Sequence, residues 1–542
     1  MYWRFTRKRA QDAAQIQQWR ERPQADFIQF GITAEDLAEA QIRFQGTIIT
    51  KFDVEAYEKA RKLSNPVFDP HPLIIFLCVA ESDVAIILGL AARAGIPFTV
   101  RSGGHCTAGF SAGPGFLIDV SGLNDVVIDT GSLTAHVGAG CNFRKLSPLL
   151  DRNNLHLPIG DCPEVCVAGY MQGGGYSFTS RTFGMNCDNV LDVRVMLADG
   201  RIVTASDTQN YDLFWAVCGG TGGNFGVLLS VTFRLRRLGD IMGFSFIWPL
   251  VTDADRATAA NALLALQKRF LSTAPSAMTP QMIFTWQPSL SGSGVEEPCM
   301  LCRGTYVGTE QQGLDAIKGI DAIPGAIRQY AKMGIFSKIN AMLLTEPYDI
   351  PPFPPGIAAP FEDKQARYVA RDLSTTEWKS VLDWFVTSPV IYNAMCFEIA
   401  GGIINMPPLE ANAFIHRTSQ FSAFLDVFWW KEEERGPAEA FLDQFCELFN
   451  DFWNGEIYQN YPSIDVPDYR ANYWGRAFDA VCAVKQKYDP LTFFTFAQAA
   501  IPYPDGPRTP TWPPKVVTAL AQPIVVTHDA AEASMTHLAD GP

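Results

Sequence analysis

A short apolar strand, Phe98-Thr99-Val100, delivers the chain directly into Arg101-Ser102-Gly103-Gly104-His105. Before it, residues 73–79 form a continuous apolar run that reads as a buried strand. Between the two, Ser82 reads as a helix N-cap with Asp83 in the first turn. Val84, Ile87, Leu88 and Ala91 follow at helical spacing, and Gly95 ends the helix. The unit is strand, helix, strand, glycine loop, a layout in which main-chain N–H groups can face a phosphate. It limits the first part of the chain to folds that pack helices on strands.

Two more glycine-rich segments come later in the chain. One runs from Cys162-Pro163-Glu164-Val165-Cys166 through Gly169-Tyr170 to Gly173-Gly174-Gly175. Three successive glycines bring no side chain to a core and let a main chain lie against a ligand. The other is Gly219-Gly220-Thr221-Gly222-Gly223-Asn224-Phe225-Gly226. It comes after a helical pattern rather than a strand, which excludes the dinucleotide fingerprint it superficially suggests. Gly-Gly-His by itself fits a tight turn with a satisfied histidine equally well.

Length and charge bound the rest. A chain of 542 residues exceeds one ordinary core, so two domains, or one with a large insertion, are expected. The net charge of −14 argues against nucleic acid and against an anionic membrane surface. No stretch approaches the ~20 apolar residues of a membrane-spanning helix, and residues 1–22 lack the apolar run of a signal peptide. The expected location is therefore cytoplasmic. The twelve cysteines are thinly spread and read as reduced and individually buried. Cys299 and Cys302 form the one Cys-x-x-Cys pair, without partners that would complete a metal site.

Polar helical patterns occupy 12–20 and 34–44, and further strands are expected at 116–120, 133–137, 190–197 and 226–235. From about 240 to 475, strand-like runs at 244–249, 282–286, 300–307, 395–399 and 421–430 alternate with helical patterns at 259–270 and 438–450. This predicts an α+β protein whose second part is an antiparallel sheet with helices on one face. Residues 351–360 read as a proline-rich loop and 514–542 as a tail or peripheral helix.

The segments, in this order, resemble the berberine-bridge-enzyme-like family of FAD-linked oxidases, within the vanillyl-alcohol-oxidase superfamily. Arg101 to His105 matches its Arg-Ser-Gly-Gly-His motif, and 162–175 matches in part its Cys-Pro-x-Val-Gly-x-Gly-Gly-His-x-x-Gly-Gly-Gly motif. Tyr458-Gln459-Asn460-Tyr461 matches its Tyr-x-Asn-Tyr. Tyr473-Trp474-Gly475, then Lys485-x-Lys487-Tyr488-Asp489-Pro490, Phe493-Phe494 and Gln498 resemble the family's C-terminal stretch. The likeness covers roughly 45–235 and 390–502.

The resemblance implies a PCMH-type FAD-binding domain over 1–238, with its core at about 68–238. A substrate domain would cover 239–477, a return segment 478–505 and a tail 506–542. It implies FAD bonded covalently to His105 and Cys162. Arg101, Ser102, Gly103, Gly104, Gly169, Tyr170, Gly173, Gly174, Gly175, Asn189, Gly226 and Asn460 would form the rest of the cofactor site. No metal is implied. Four positions depart from the pattern: Cys166 and Ala168 each stand for a usual Gly, Tyr170 for the usual His, and Ser177 for Gly after Tyr176. The Cys166 change could narrow oxygen's path to the flavin.

The implied chemistry oxidises a CH–OH group of a sugar, an alcohol or a phenolic metabolite by hydride transfer to flavin N5, with O2 as acceptor. Its alternatives are an oxidative cyclase or tailoring enzyme and a dehydrogenase. A base for the hydroxyl proton is needed beside the flavin. Tyr458 and Tyr461 are candidates, and a catalytic tyrosine needs a lowered pKa. Glu398 and Asp426, each on an apolar strand, are candidates too. His416 and Arg417 read as structural, and so do at least half of the aromatic residues between 428 and 474.

Overall fold

The computed structural model of the chain describes residues 17, 27, 29, 31–272, 274–345 and 359–504. All but residue 17 of the helix expected at 12–20, most of the proline-rich loop and the tail lie outside these residues.

Besides a two-stranded ribbon that pairs Leu155–His156 with Arg236–Arg237, the first lobe holds two main sheets. The smaller orders its strands Thr47–Thr50, Ile74–Leu77, Phe116–Asp119, Phe98–Arg101. The first pair is antiparallel and the others are parallel. Ile74, Ile75, Phe76, Phe116, Leu117 and Ile118 are all fully buried, because both faces of the sheet are covered. This is why residues 73–79 read as an unbroken apolar run. The connecting helix, Glu81–Ala94, ends at Gly95 with φ +63°. Its N-terminus is held by Asp83 rather than by Ser82. The buried Asp83 carboxylate accepts from the amides of Val79, Ala80 and Gln45, while Ser82 Oγ accepts from the Gln45 side chain. A carboxylate can hold several N–H groups and favours the positive end of the helix.

The second sheet of this lobe is antiparallel, in the order Val126–Asp129, Thr134–Gly138, Val227–Arg234, Val190–Met196, Ile202–Ser206. One continuous core joins both sheets to residues 457–500, so the end of the described chain packs back into the first lobe.

The other lobe is a seven-stranded, wholly antiparallel sheet. Its order is Ile327–Gly334, Ile241–Pro249, Glu296–Tyr306, Met278–Pro288, Ala394–Ile399, Phe421–Trp429, Phe361–Val369. The helices Asp253–Ser272, Glu310–Asp321, Thr375–Phe385 and Glu432–Phe449 contribute to a second core on one face. The opposite face turns toward the first lobe. It also carries a helix, Phe336–Thr345, whose Phe336, Ile339 and Leu343 belong to the first core. The expectation of helices on one face therefore holds for four of these five helices. The two outer strands, Ile327–Gly334 and Phe361–Val369, were not expected, because their charged residues break the apolar pattern. Among the described residues no helix is long and apolar enough to cross a membrane.

The return segment is locked by Lys485. Its ammonium donates to Asn224 O (2.7 Å), Phe494 O (2.6 Å) and Asp489 Oδ2 (2.7 Å), so all three protons are used. Asn224 Oδ1 in turn accepts from the Ala500 amide at 2.8 Å. The third glycine loop is thus braced from behind by residues 485–500. Removing one partner of a buried pair leaves the other charge uncompensated. Lys485→Met is expected to cost about 3–5 kcal/mol, read as a lower midpoint in urea unfolding followed by the far-UV signal.

Candidate functional site

The three glycine-rich segments, the 458–462 segment and the inner face of the seven-stranded sheet surround one cavity of about 570 Å³. That volume falls within the range of about 300–1,000 Å³ usual for cofactor and ligand sites.

His105 and Cys162 both line it. Burial lowers the His105 pKa, so its imidazole is neutral and keeps a free nitrogen lone pair. Burial pushes the Cys162 thiol up to about 11. The His105 loop is tied down at several points. Gly104, at φ +73°, accepts from both the amide and the hydroxyl of Ser64, and Thr107 Oγ1 donates to Pro462 O at 2.6 Å.

The cavity suits a flavin nucleotide on three observations. The amides of Gly103, Gly104 and His105 donate to no acceptor among the described residues, although these residues line the cavity. Main-chain N–H groups removed from bulk water need partners, and a bound cofactor can supply them. Ser111 Oγ on the same wall is buried with no hydrogen-bond partner among the described residues. A Cβ on Gly103 would lie 3.1 Å from the Cys166 nitrogen and 3.2 Å from its sulfur, so the loop has no room for a side chain on that side.

Ser102, Gly169, Tyr170, Gly226 and Asn460 also border the cavity. Five expected cofactor residues do not. Arg101 turns away, paired with Asp119 (Nη2 to Oδ2, 2.6 Å) and donating to Ala60 O, and so supports the loop from below. Asn189 donates to Phe183 O and Met185 O inside the core. Gly173, Gly174 and Gly175 make room for protein rather than facing the cavity. A Cβ would strike Asn460 at Gly173 (2.0 Å), Phe414 at Gly174 (2.6 Å) and Tyr170 at Gly175 (2.5 Å). Tyr170 donates its hydroxyl to Tyr176 O and sets its ring edge-on to Phe143.

The four candidate catalytic residues all meet at this cavity. The Tyr461 hydroxyl donates to Glu398 Oε1 at 2.7 Å. Burial raises the Glu398 carboxyl to about 8. The Tyr458 oxygen accepts from Gly175 N (2.9 Å), Tyr176 N (3.0 Å) and Asn460 Nδ2 (3.0 Å). Burial raises both phenols, the opposite direction from the lowered value that a tyrosine base needs. Asp426 is engaged by Lys364, whose Nζ lies 2.9 Å from Oδ1. Burial pulls the Lys364 ammonium down, but Asp426 and Glu362 outweigh it and raise its pKa. The same ammonium sits 4.5 Å from the centroid of the Tyr461 ring and 4.9 Å from that of Phe424.

Lys364, Glu362, Gln281 and Arg303 are wall residues that motif reading missed. The signal for the first two is their spacing of two on one strand, which puts both on one face. His416 lies off the cavity, between Glu456 and Gln459, and Arg417 pairs with Asp188. Of the nine aromatic residues between 428 and 474 that sequence reading singled out, Tyr458, Tyr461 and Tyr473 border the cavity, and the rest do not.

A family model for the FAD binding domain matches residues 72–206, and one for berberine and berberine-like proteins matches 457–501. The chain is 27% identical over 466 residues to the uncharacterized FAD-linked oxidoreductase YvdP of Bacillus subtilis (strain 168), covering 84% of this chain and 98% of that protein. In fold it is similar to Physcomitrella patens BBE-like 1 (TM-score 0.74, 23% identity), covering 86% of this chain and 99% of the other. It is similar also to the xylooligosaccharide oxidase from Myceliophthora thermophila C1 in complex with xylobiose (TM-score 0.73, 20% identity), again over 86% and 99%. The sequence matches take in two of the three glycine loops and the return segment that wall the cavity, and the chain is an FAD-linked oxidoreductase similar to berberine-bridge-enzyme-like proteins.

Proposed function

We propose that the protein is an oxidase that converts a CH–OH group of a sugar or alcohol to a carbonyl, with O2 as the final acceptor, and that its FAD is bonded to both His105 and Cys162. The observation that carries this reading is the pairing of Glu398 with Tyr461 on the sheet wall of the cavity whose other walls bear His105 and Cys162. The bound flavin supplies a two-electron acceptor for the hydride of the substrate carbon.

The chain's own residues handle the proton and the geometry. Glu398 accepts the hydroxyl proton. Its carboxyl, raised to about 8 by burial, is a stronger base than an exposed carboxylate and close to working pH. Tyr461 donates to Oε1 and so aims the other oxygen. Lys364 over the Tyr461 ring holds that ring in place. Tyr458 acts on shape: its oxygen gathers the amides of Gly175 and Tyr176 and fixes the floor of the site. A neutral His105 imidazole is suited to bond formation, since a protonated ring would have no nucleophilic nitrogen.

One observation favours a second reading, a dehydrogenase. Cys166 packs its sulfur against the Gly103 side of the loop and within 3.3 Å of Gly140 O, where a glycine would leave space for a small gas molecule. Rapid reoxidation of the substrate-reduced flavin in air supports the oxidase, and persistent bleaching the dehydrogenase.

Both the tethers and the base can be tested directly. After acid precipitation the yellow colour should stay with the protein. His105→Ala and Cys162→Ala should each retain one tether, and the double variant should release the flavin, as read by mass measurement of flavopeptides. Colour lost to the supernatant from the unmodified protein rules out covalent attachment. For the base, only deprotonated Glu398 is active, so kcat/KM should rise with pH through about 8. Glu398→Gln should lower kcat by roughly 10²–10⁴-fold and abolish that limb of the profile.

A further inference from the structure

The register of the seven-stranded sheet sets Ser245, Arg303, Gln281, Glu398 and Ser422 in one row across five strands. Paired residues on neighbouring strands share a face, and Arg303, Gln281 and Glu398 all border the cavity. The row therefore places a guanidinium two strands away from the proposed base.

Arg303 is 3% exposed, and among the described residues it has no carboxylate partner. Its Nε and Nη2 donate to Gln281 Oε1 at 3.1 and 3.0 Å, its Nη1 donates to Leu343 O, and the group lies over the Phe178 ring. All three contacts are to neutral groups. They satisfy hydrogen bonds but leave the charge uncompensated, and an unpaired buried charge is costly. Two of the five guanidinium N–H donors remain, and Gln281 Nε2 donates to no protein acceptor among the described residues. Arg181 and Arg367 are also buried, but neither borders the cavity.

The other charges on this wall cancel one another. Lys364 faces Asp426 at 2.9 Å and Glu362 at 3.9 Å. Glu398, raised to about 8, is largely uncharged at neutral pH and already accepts from Tyr461. Asp161 acts on Arg303 from beyond contact and is itself exposed, so solvent screens it. What the wall lacks is an anion at Arg303.

We propose that Arg303 and Gln281 form an anion subsite, and that the substrate is a hydroxylated carboxylic acid, such as a sugar acid, rather than a neutral sugar. The identity of the substrate rests on the CH–OH reading above; the subsite itself does not. A carboxylate would take paired N–H donors from Arg303 with Gln281 Nε2 beside them, the arrangement in which arginine binds carboxylates with most directional specificity.

The test uses the FAD-loaded protein, so that the cofactor's own phosphates cannot be the bound anion. Flavin absorbance is titrated with matched pairs, glucuronate against glucose and benzoate against benzyl alcohol. The carboxylate of each pair should bind at least about tenfold more tightly. Arg303→Gln should erase that ratio, and Arg303→Lys should keep part of it. Equal affinity within both pairs in the unmodified protein overturns the subsite, as does an unchanged ratio in a yellow Arg303→Gln variant. If Arg303→Gln does not fold, the unmodified protein's ratio and the Arg303→Lys variant decide. Anaerobic reduction separates the two readings. Reduction by neutral alcohols together with indifference to carboxylates overturns the subsite and leaves the oxidase standing. Selective carboxylate binding without reduction by any hydroxylated compound supports the subsite and overturns the CH–OH chemistry.

Discussion

The phenolic oxygen of Tyr458 collects the amides of Gly175 and Tyr176 and the side chain of Asn460, and the two ends of the site depend on that junction. It joins a glycine loop to a segment some 280 residues later in the chain. The glycines make the approach possible. Any side chain at Gly173 would occupy the space of Asn460, and at Gly174 that of Phe414. A buried amide without a partner is costly, so the loop and the 458–461 segment order each other. Tyr461 is then presented to Glu398 on the sheet of the other lobe.

The cavity formed this way has two unlike walls. The first lobe offers main-chain N–H groups, an imidazole and a thiol. The sheet wall offers charge: Lys364 with Asp426 and Glu362, then Glu398, then Arg303 with Gln281. In a buried site such groups are strongly coupled, and the raised Glu398 carboxyl is a consequence of its burial. The division suits an oxidoreductase in which one lobe holds the cofactor and the other selects and deprotonates the substrate.

Much of this was legible in the residues. The strand, helix, strand and loop leading to His105 read correctly, because a buried parallel sheet writes an unbroken apolar run. The convergence of His105, Cys162, Tyr458 and Tyr461 on one cavity agrees with the motifs that carry them. Other elements left no such trace. The strands Ile327–Gly334 and Phe361–Val369 were missed because they lie at the sheet's two edges and carry charge, so their apolar alternation is weak. Asp83, not Ser82, caps its helix, since the choice depended on which side chain could reach the amides of Val79, Ala80 and Gln45.

By itself the sequence pointed to the resemblance, the FAD-type lobe and the loops that carry His105 and Cys162 to the cavity. These are local motifs, in which a fixed spacing of Gly, His and Cys dictates backbone shape. Only the tertiary structure decided what each group does there. It turned Arg101 and the three glycines at 173–175 to structural duties and raised the tyrosines and the Glu398 carboxyl by burial. It also brought Lys364 and Arg303 to the wall from distant strands. Burial and charge pairing depend on neighbours supplied across a sheet register, and no spacing along the chain encodes them.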